Sequence, residues 1–322
     1  MYTIIYNFFF YLKRKQKKKR EENKTTSIWL QKIVDYIEWF YNIPVCNRYK
    51  KYPSKRYGLN CNKRSQKVFG YEVSDTITSY PKRINTVWIT IETLLRQSFK
   101  PDKIILWLAT DQFDGIESLP TELLNLQKRG LTIRFCDDLR SHKKYYYVMQ
   151  EYPEDIVILA DDDMFYPYDT IKKLMNMHKK FPDDICIMTA QVMEPSFETR
   201  PSAWRNPMLK EKFEHSNKIQ IFTGSGSLYP PHVFSDEVFN KEVIQTVCPY
   251  ADDLWLTFMA QRNNTKVTTR YPWRAFPITI YGTATDSLWQ INAAEGKNDK
   301  QWMLLLDKYS KEQTFERKQV EK

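Results

Sequence analysis

Residues Ile156–Pro167 read IVILADDDMFYP. An unbroken apolar run of this kind is how a strand buried on both faces is written. It ends abruptly in three consecutive aspartates, Asp161, Asp162 and Asp163. Adjacent carboxylates repel one another and aspartate is a poor strand former, so something must offset the charge. A divalent cation would do so. Hard oxygen donors at this spacing suit Mg2+ or Mn2+, with the remaining positions taken by water and phosphate oxygens. If the backbone stays extended, Asp161 and Asp163 point to one side, and Asp162 turns away or reaches the cation through water. The plainer alternative is an acidic turn that caps the following helix, YDTIKKLMNMHKK. Asp169 or Thr170 is available for that cap, which leaves the three aspartates unexplained.

Upstream of this stretch, strands and helices alternate. EVSDTITSYP (72–81) reads as a strand ended by a polar turn. INTVWITIETLLRQ (84–97) reads as a helix with Val87, Ile91, Leu94 and Leu95 on one face. DKIILWLA (102–109) is a second buried strand, and LPTELLNLQKRG (119–130) a helix closed by Gly130. LTIRFC (131–136) is a third strand, KYYYVMQEY (144–152) a helix, and DIVILA (155–160) the fourth strand. Short connections between alternating elements predict an α/β fold with a mostly parallel sheet flanked by helices. Ligands of such sheets bind beyond the carboxyl ends of the strands. The polar residues there are Thr78, Ser79 and Tyr80, then Thr110 and Asp111, then Asp137 and Asp138, then Asp161–Asp163. Neither GxGxxG nor GxxxxGK[ST] opens a helix, so the dinucleotide fingerprint and the P-loop are both absent.

The chain has 322 residues, enough for one large core or two modest ones, and a formal net charge of +10. The excess is concentrated in KRKQKKKREENK (13–24) and in a second basic cluster over 48–64. Such an arm suggests an anionic partner, and a solvated arm is the plainer alternative. With no RNP-like or zinc-finger motif, a membrane surface fits better than nucleic acid. The apolar start MYTIIYNFFFYL is too short to span a bilayer, and its basic flank follows it instead of preceding it. Residues 1–24 could hold the chain at an anionic membrane surface, or the apolar part could be a terminal strand or helix. SIWLQKIVDYIEWFYNIP (27–44) has the spacing of an amphipathic helix. Five cysteines, an odd count without zinc spacing or a good signal peptide, favour a reducing, cytoplasmic setting, and the basic arm could hold the chain on the inner face of the cell membrane. Cys136 and Cys186 read as small core residues.

Two further stretches carry polar chemistry. VCPYADDLWLTFMAQR (247–262) sets Asp252 and Asp253 before an amphipathic helix, where they could cap it or serve as acid and base. FTGSGSLYPP (222–231) places Gly224 and Gly226, two of only eight glycines, around Ser225. Glycines there allow close backbone approach to a ligand, or simply a tight hairpin.

Taken together, TITSYPKRI (76–84), KPDKIILWL (100–108), ADDDMFYP, TGSGSLYPP and ADDLWLTF (251–258) resemble a GT-A-fold glycosyltransferase with a DxD motif. The sequence is similar to the family-2-like bacterial transferases of lipopolysaccharide and capsule synthesis, and more distantly to the exostosin-like family. The resemblance covers roughly residues 69–309. It implies a GT-A domain over 67–322, with a nucleotide half (67–167) and an acceptor half (168–322), behind a basic, partly helical extension (1–66).

The resemblance implies metal-dependent, inverting transfer from a nucleotide sugar, with a UDP-sugar as the expected donor, to a glycan or lipid-linked acceptor. Asp163 is then the main ligand of Mn2+ or Mg2+, and Asp161 contacts the metal or the ribose. Asp253 is the base and Asp252 helps bind the acceptor. A carboxylate at a helix start would ordinarily have a lowered pKa. Arg140 and Lys144 fall to the nucleotide, Tyr80 to the base and Arg83 to a phosphate, while Gly224, Ser225 and Gly226 line the donor. Lys297, in SLWQINAAEGKNDKQW (287–302), would pair with the diphosphate. One departure is the lack of a late histidine to complete the metal site, since the last is His232. Two other readings stand beside this one. A nucleotidyltransferase would want a glycine-rich loop after the first strand, which TSYPKR is not. A non-catalytic binder would work through its basic arm.

Overall fold

The structure is a computed structural model. It describes residues 42, 44–50, 71–205, 215–270, 277–283, 292 and 296–320, with side chains to 310. The expected membrane-surface arm (1–24) and most of the amphipathic helix over 27–44 lie outside the described residues. No helix among those described is long and apolar enough to cross a membrane.

The alternating pattern forms the elements it predicts. They are β1 (Val73–Thr78), α1 (Val87–Leu95), β2 (Lys103–Ala109), α2 (Thr121–Gln127), β3 (Leu131–Cys136), α3 (Lys143–Glu151) and β4 (Ile156–Ala160). After them come β5 (Met164–Phe165), α4 (Thr170–Lys180), β6 (Ile185–Ile187), β7 (Gln191–Val192), β8 (Ile219–Gln220) and β9 (Ser227–Tyr229). The chain then forms α5 (Lys241–Thr246), α6 (Asp252–Arg262), β10 (Val267–Thr268), β11 (Ile278–Thr279) and α7 (Lys297–Val320).

Seven strands form one sheet in the order β10-β6-β9-β4-β1-β2-β3. The pairs β4–β1, β1–β2, β2–β3 and β6–β10 are parallel. Only β9 runs against its neighbours β4 and β6. This reversal matters for the site, because it brings the start of β9 beside the end of β4, with Ser227 opposite Leu159. The strand alternation divides the core. Val157 and Leu159 face one layer, with Tyr145 of α3, Trp255 of α6 and Trp302 of α7. Ile77, Leu106 and Ala160 face the other, under α1 and α2, continued by Ile158 and Val73 under α4.

Helix α1 is buried along its whole length instead of on one face. Its Glu92 is held there by Arg96 and Arg129. Residues 44–50 explain part of the cover: Val45 is buried in the α1–α2 layer, and Arg96 stands 4.4 Å from the Tyr49 ring. Asn42 accepts a hydrogen bond from the Tyr281 N–H at 2.8 Å, just past β11. Cys136 and Cys186 are buried core thiols, as their apolar surroundings predict.

Candidate active site

β4 ends at Ala160, so Asp161–Asp163 lie in a turn and not in extended chain. Strand alternation therefore stops applying, and the expected division of the aspartates does not occur. Asp162 and Asp163 share one cation: Arg83 Nη1 lies 2.6 Å from Asp162 Oδ1 and 3.0 Å from Asp163 Oδ2. The same guanidinium donates to the Thr283 carbonyl at 3.1 Å. Ser79 adds a hydroxyl to Asp162 Oδ2 at 2.6 Å. Asp161 turns the other way, to Lys144 Nζ at 2.6 Å. Repulsion among the three carboxylates is thus offset by two side-chain cations, the buried Lys144 and the partly buried Arg83. Tyr166 closes the turn, accepting from the Asp161 N–H and donating to the Gly224 carbonyl, both at 2.8 Å.

The expected cap of α4 is not made by a side chain. Asp169 stands at the helix start without a capping bond and pairs with Lys173 instead. Capping likewise fails to explain Asp252 and Asp253. Both lie inside the first turn of α6, and the residue at the cap position is Ala251.

Lys144 joins the two carboxylate groups. An ammonium has three protons to give. Here they go to Asp161 Oδ1 (2.6 Å), Thr223 Oγ1 (2.7 Å) and Asp252 Oδ2 (2.9 Å). Lys144 is buried, and with these three partners it links the end of β4 to the start of α6. Thr223 passes the link on. Its hydroxyl donates to Asp253 Oδ1 at 2.6 Å, and its N–H donates to the same oxygen at 2.8 Å.

The electrostatics separate the two acids of α6. Burial alone would raise Asp252, but Lys144, with His142 beside it, outweighs burial and holds the carboxyl down at about 2. Burial, and then the negative Asp252 next to it, push Asp253 up to about 7. The lowering expected for a helix start is therefore reversed. A carboxylate near 7 is suited to taking a proton at neutral pH. Asp163 is also pushed up to about 7, by burial first; Arg83 offsets part of that, and Asp162 and Asp161 add to it. His142 is neutral, lowered to about 4 by burial, with its ring nitrogens against the Tyr145 hydroxyl and the Cys248 carbonyl.

The other predicted residues have the following surroundings. Gly224 is at the site, since its backbone lies against Asp161. Gly226 has a φ of 98°, a conformation that favours glycine. Ser225 is buried, accepting from the Thr189 hydroxyl and donating to the Phe222 carbonyl. Thr78 donates to the Trp107 carbonyl. Asp138 accepts from Lys143, the Arg140 N–H and Gln112. Asp111 is exposed beyond β2. Tyr80 lies 5.6 Å from the Arg83 guanidinium. Arg140 and Lys297 both stand over the Tyr250 ring, at 4.4 and 5.4 Å. His232 pairs with Glu154 at the surface. Thr223 and Tyr166 are the residues that motif reading passed over. Their signal, weak in sequence, is adjacency to Gly224 and to the aspartate turn.

Among the described residues, no three His, Cys, Asp or Glu side chains converge as a metal cage. The donor chemistry fits a divalent cation only in the manner of Mg2+ or Mn2+, held by one or two carboxylates and completed by ligand oxygens. The turn supplies three carboxylates, Asp161 facing Lys144 and Asp162 and Asp163 facing Arg83.

No protein-family model matches the chain, and no curated protein matches it. Among solved structures it is similar to the mannosyltransferase PcManGT from Pyrobaculum calidifontis in complex with GDP-Man and Mn2+. There the identity is 14%, the TM-score 0.46, and the match covers 80% of this chain and 68% of that one. It is also similar to S. aureus TarS 1–349 in complex with UDP, with identity 12% and TM-score 0.42. That match covers 62% of this chain, and the chain spans 57% of the TarS structure.

Proposed function

We propose that this chain is a metal-dependent glycosyltransferase of the GT-A kind. It moves a sugar from a nucleotide sugar, a UDP-sugar foremost, to a hydroxyl of a glycan or lipid-linked acceptor in surface polysaccharide synthesis. The observation that carries the proposal is the joining of two carboxylate groups at the carboxyl ends of the sheet. Asp161–Asp163 and Asp252–Asp253 come from segments some ninety residues apart, and Lys144 and Thr223 tie them into one cluster.

The two groups suit two tasks. Asp163 and Asp161 would hold Mn2+ or Mg2+, which when bound neutralises charge on the leaving diphosphate. Asp253 takes the proton from the acceptor hydroxyl as its oxygen attacks the anomeric carbon and the bond to the diphosphate breaks, with inversion. Asp252 stays ionised beside it and is positioned to accept a hydrogen bond from the acceptor. Arg140 and Lys297, flanking Tyr250, offer positive charge to the diphosphate. Residues 67–167 serve the nucleotide and 168–322 the acceptor, with residues 1–24 directing the chain to an anionic membrane surface.

The test is a panel of UDP-, GDP- and CMP-sugars with Mn2+ and Mg2+, read by thermal stabilisation and by release of nucleotide. One donor class should stabilise the chain only when the cation is present, and should be hydrolysed slowly. No stabilisation and no turnover with any donor–cation pair would remove the proposal.

A further inference from the structure

Asp253 is held by one oxygen only. Its Oδ1 accepts from the Thr223 N–H at 2.8 Å and from the Thr223 hydroxyl at 2.6 Å. Among the described residues no hydrogen bond uses Oδ2. The backbone around this contact is pinned from both sides. Thr257 Oγ1, one turn along α6, donates to the Asp253 carbonyl at 2.6 Å and accepts from the Ile221 N–H at 3.0 Å. The segment 221–223 is therefore stapled to the first two turns of α6 by three hydrogen bonds.

The Thr223 hydroxyl has one proton to give and lone pairs to receive. It receives from Lys144 at 2.7 Å, and Asp253 is its nearer carboxylate, Asp252 being 3.2 Å away. The chain Lys144 to Thr223 to Asp253 thus has a defined direction, set by an ammonium that can only donate. A carboxylate whose one oxygen accepts two hydrogen bonds is fixed in rotation. It leaves the other oxygen for an incoming proton.

We infer that Thr223 is a positioning residue for the transfer proposed above: it pins Oδ1 of Asp253 and presents Oδ2 as the oxygen that receives the acceptor proton. The inference rests on the sugar-transfer reading for its consequence, and on the hydrogen bonds alone for its physical content. The charged and titratable groups facing Asp253 are Asp252 on α6 itself, Lys144 from α3, Asp161 at the end of β4 and Tyr229 on β9, with His142 beside Asp252. The Thr223 hydroxyl is the neutral donor among them. Removing it leaves the ionised form of Asp253 with one hydrogen bond fewer, which favours the protonated form.

The experiment titrates the full chain labelled with 13C at the aspartate carboxyls, with the Asp253 resonance assigned by its loss in Asp253→Asn. Thr223→Val should move the Asp253 midpoint upward by about one pH unit. Thr223→Ser, which keeps the hydroxyl, should return it to the wild-type value. Should the valine variant not fold, Thr223→Ala carries the same prediction. Once a donor and acceptor are known, the acid limb of kcat should move with the midpoint while the donor KM stays constant. A midpoint unchanged in the valine and alanine variants overturns the inference, whatever the transfer assays show. A shifted midpoint in a protein that transfers no sugar confirms that Thr223 controls Asp253, and the failure then belongs to the sugar-transfer reading.

Discussion

The Cβ of any side chain at position 224 would fall 2.2 Å from Oδ2 of Asp161. No real Cβ contact is that short, and Asp161 cannot swing aside without leaving Lys144, which it meets at 2.6 Å. Gly224 is therefore required by the carboxylate packed against it. Its conformational freedom is not the reason, since no positive φ is recorded there. Gly224→Ala is expected to destabilise the fold by about 1–3 kcal/mol, the range for overpacking. It should also weaken cation-dependent binding of the nucleotide sugar. Chemical denaturation and a binding titration with and without Mn2+ check both halves.

Lys144 separates two roles that the sequence leaves together. A phosphate-binding lysine would raise KM when replaced and leave stability almost untouched. A buried ammonium serving two carboxylates and a hydroxyl behaves differently, because its removal strands buried charge. Lys144→Met is expected to lose roughly 3–5 kcal/mol of stability. A variant that melts with the wild type but binds donor poorly would restore the nucleotide role.

Asp75 makes stability depend on pH. It sits fully buried on β1, and neither carboxyl oxygen has a hydrogen-bond partner among the described residues. Burial raises its pKa well above the ordinary carboxylate range. The folded state therefore keeps a proton that the unfolded chain gives up as pH rises past about 4. The unfolded state binds fewer protons over that window, so stability falls with rising pH. Asp75→Asn has no such proton. The melting temperature of the variant relative to wild type should climb from pH 5 to pH 8. A difference that stays flat with pH would show that Asp75 does not titrate in this way.

The same sign applies to Asp163, raised to about 7 in the ligand-free chain. Between about pH 4 and 7 the folded state keeps on Asp163 a proton that the unfolded chain has given up, so stability falls as pH rises and the loss is complete above about 7. Asp163→Asn should then melt higher than wild type at pH 8 without metal, and about equally at pH 5. It should also lose cation-dependent binding of UDP. Unimpaired Mn2+-dependent binding in this variant would end the metal assignment.

Much of the sheet is legible because its strands are apolar and its helices periodic. β1 to β4 and the helices between them need only local pattern, and the polar residues at their ends follow from strand direction. β9 is not legible in this way. Three residues, Ser-Leu-Tyr, carry no period, and their reversed insertion between β4 and β6 is a tertiary fact. That reversal delivers Thr223 to Asp253, so the positioning residue is hidden for the same reason. In sequence Lys144 reads as a nucleotide-binding cation, and Lys143 beside it as part of a solvated helix face. Both lysines are in fact buried, Lys143 against Asp138 and Lys144 inside the carboxylate cluster. Arg83 reads as a phosphate ligand, yet the partners it takes, Asp162 and Asp163, lie about eighty residues on. Motif types were readable; which charge neutralises which was not.

Asp253→Asn tests the base directly. Asparagine keeps the size of the side chain, and its amide oxygen can still accept from the Thr223 N–H and hydroxyl, so the first turn of α6 should hold. Helix capping is not at issue, because Ala251 occupies the cap position. What asparagine cannot do is take a proton. Loss of a general base costs roughly 10²–10⁴ in the chemical step. Donor affinity should stay near wild type, since Asp253 makes no hydrogen bond or ion pair with Asp163 or Arg83 among the described residues. The wild-type rate should rise with pH along a limb centred near 7, the value to which burial and Asp252 push this carboxyl. In the variant that limb should vanish along with most of the rate. The decisive pair of measurements is transfer rate against pH and nucleotide-sugar affinity, taken on the same purified variant. Transfer near the wild-type rate with the limb intact would acquit Asp253 and move the search to Asp252. That carboxyl, held at about 2 and bonded to Lys144, would be a far weaker base.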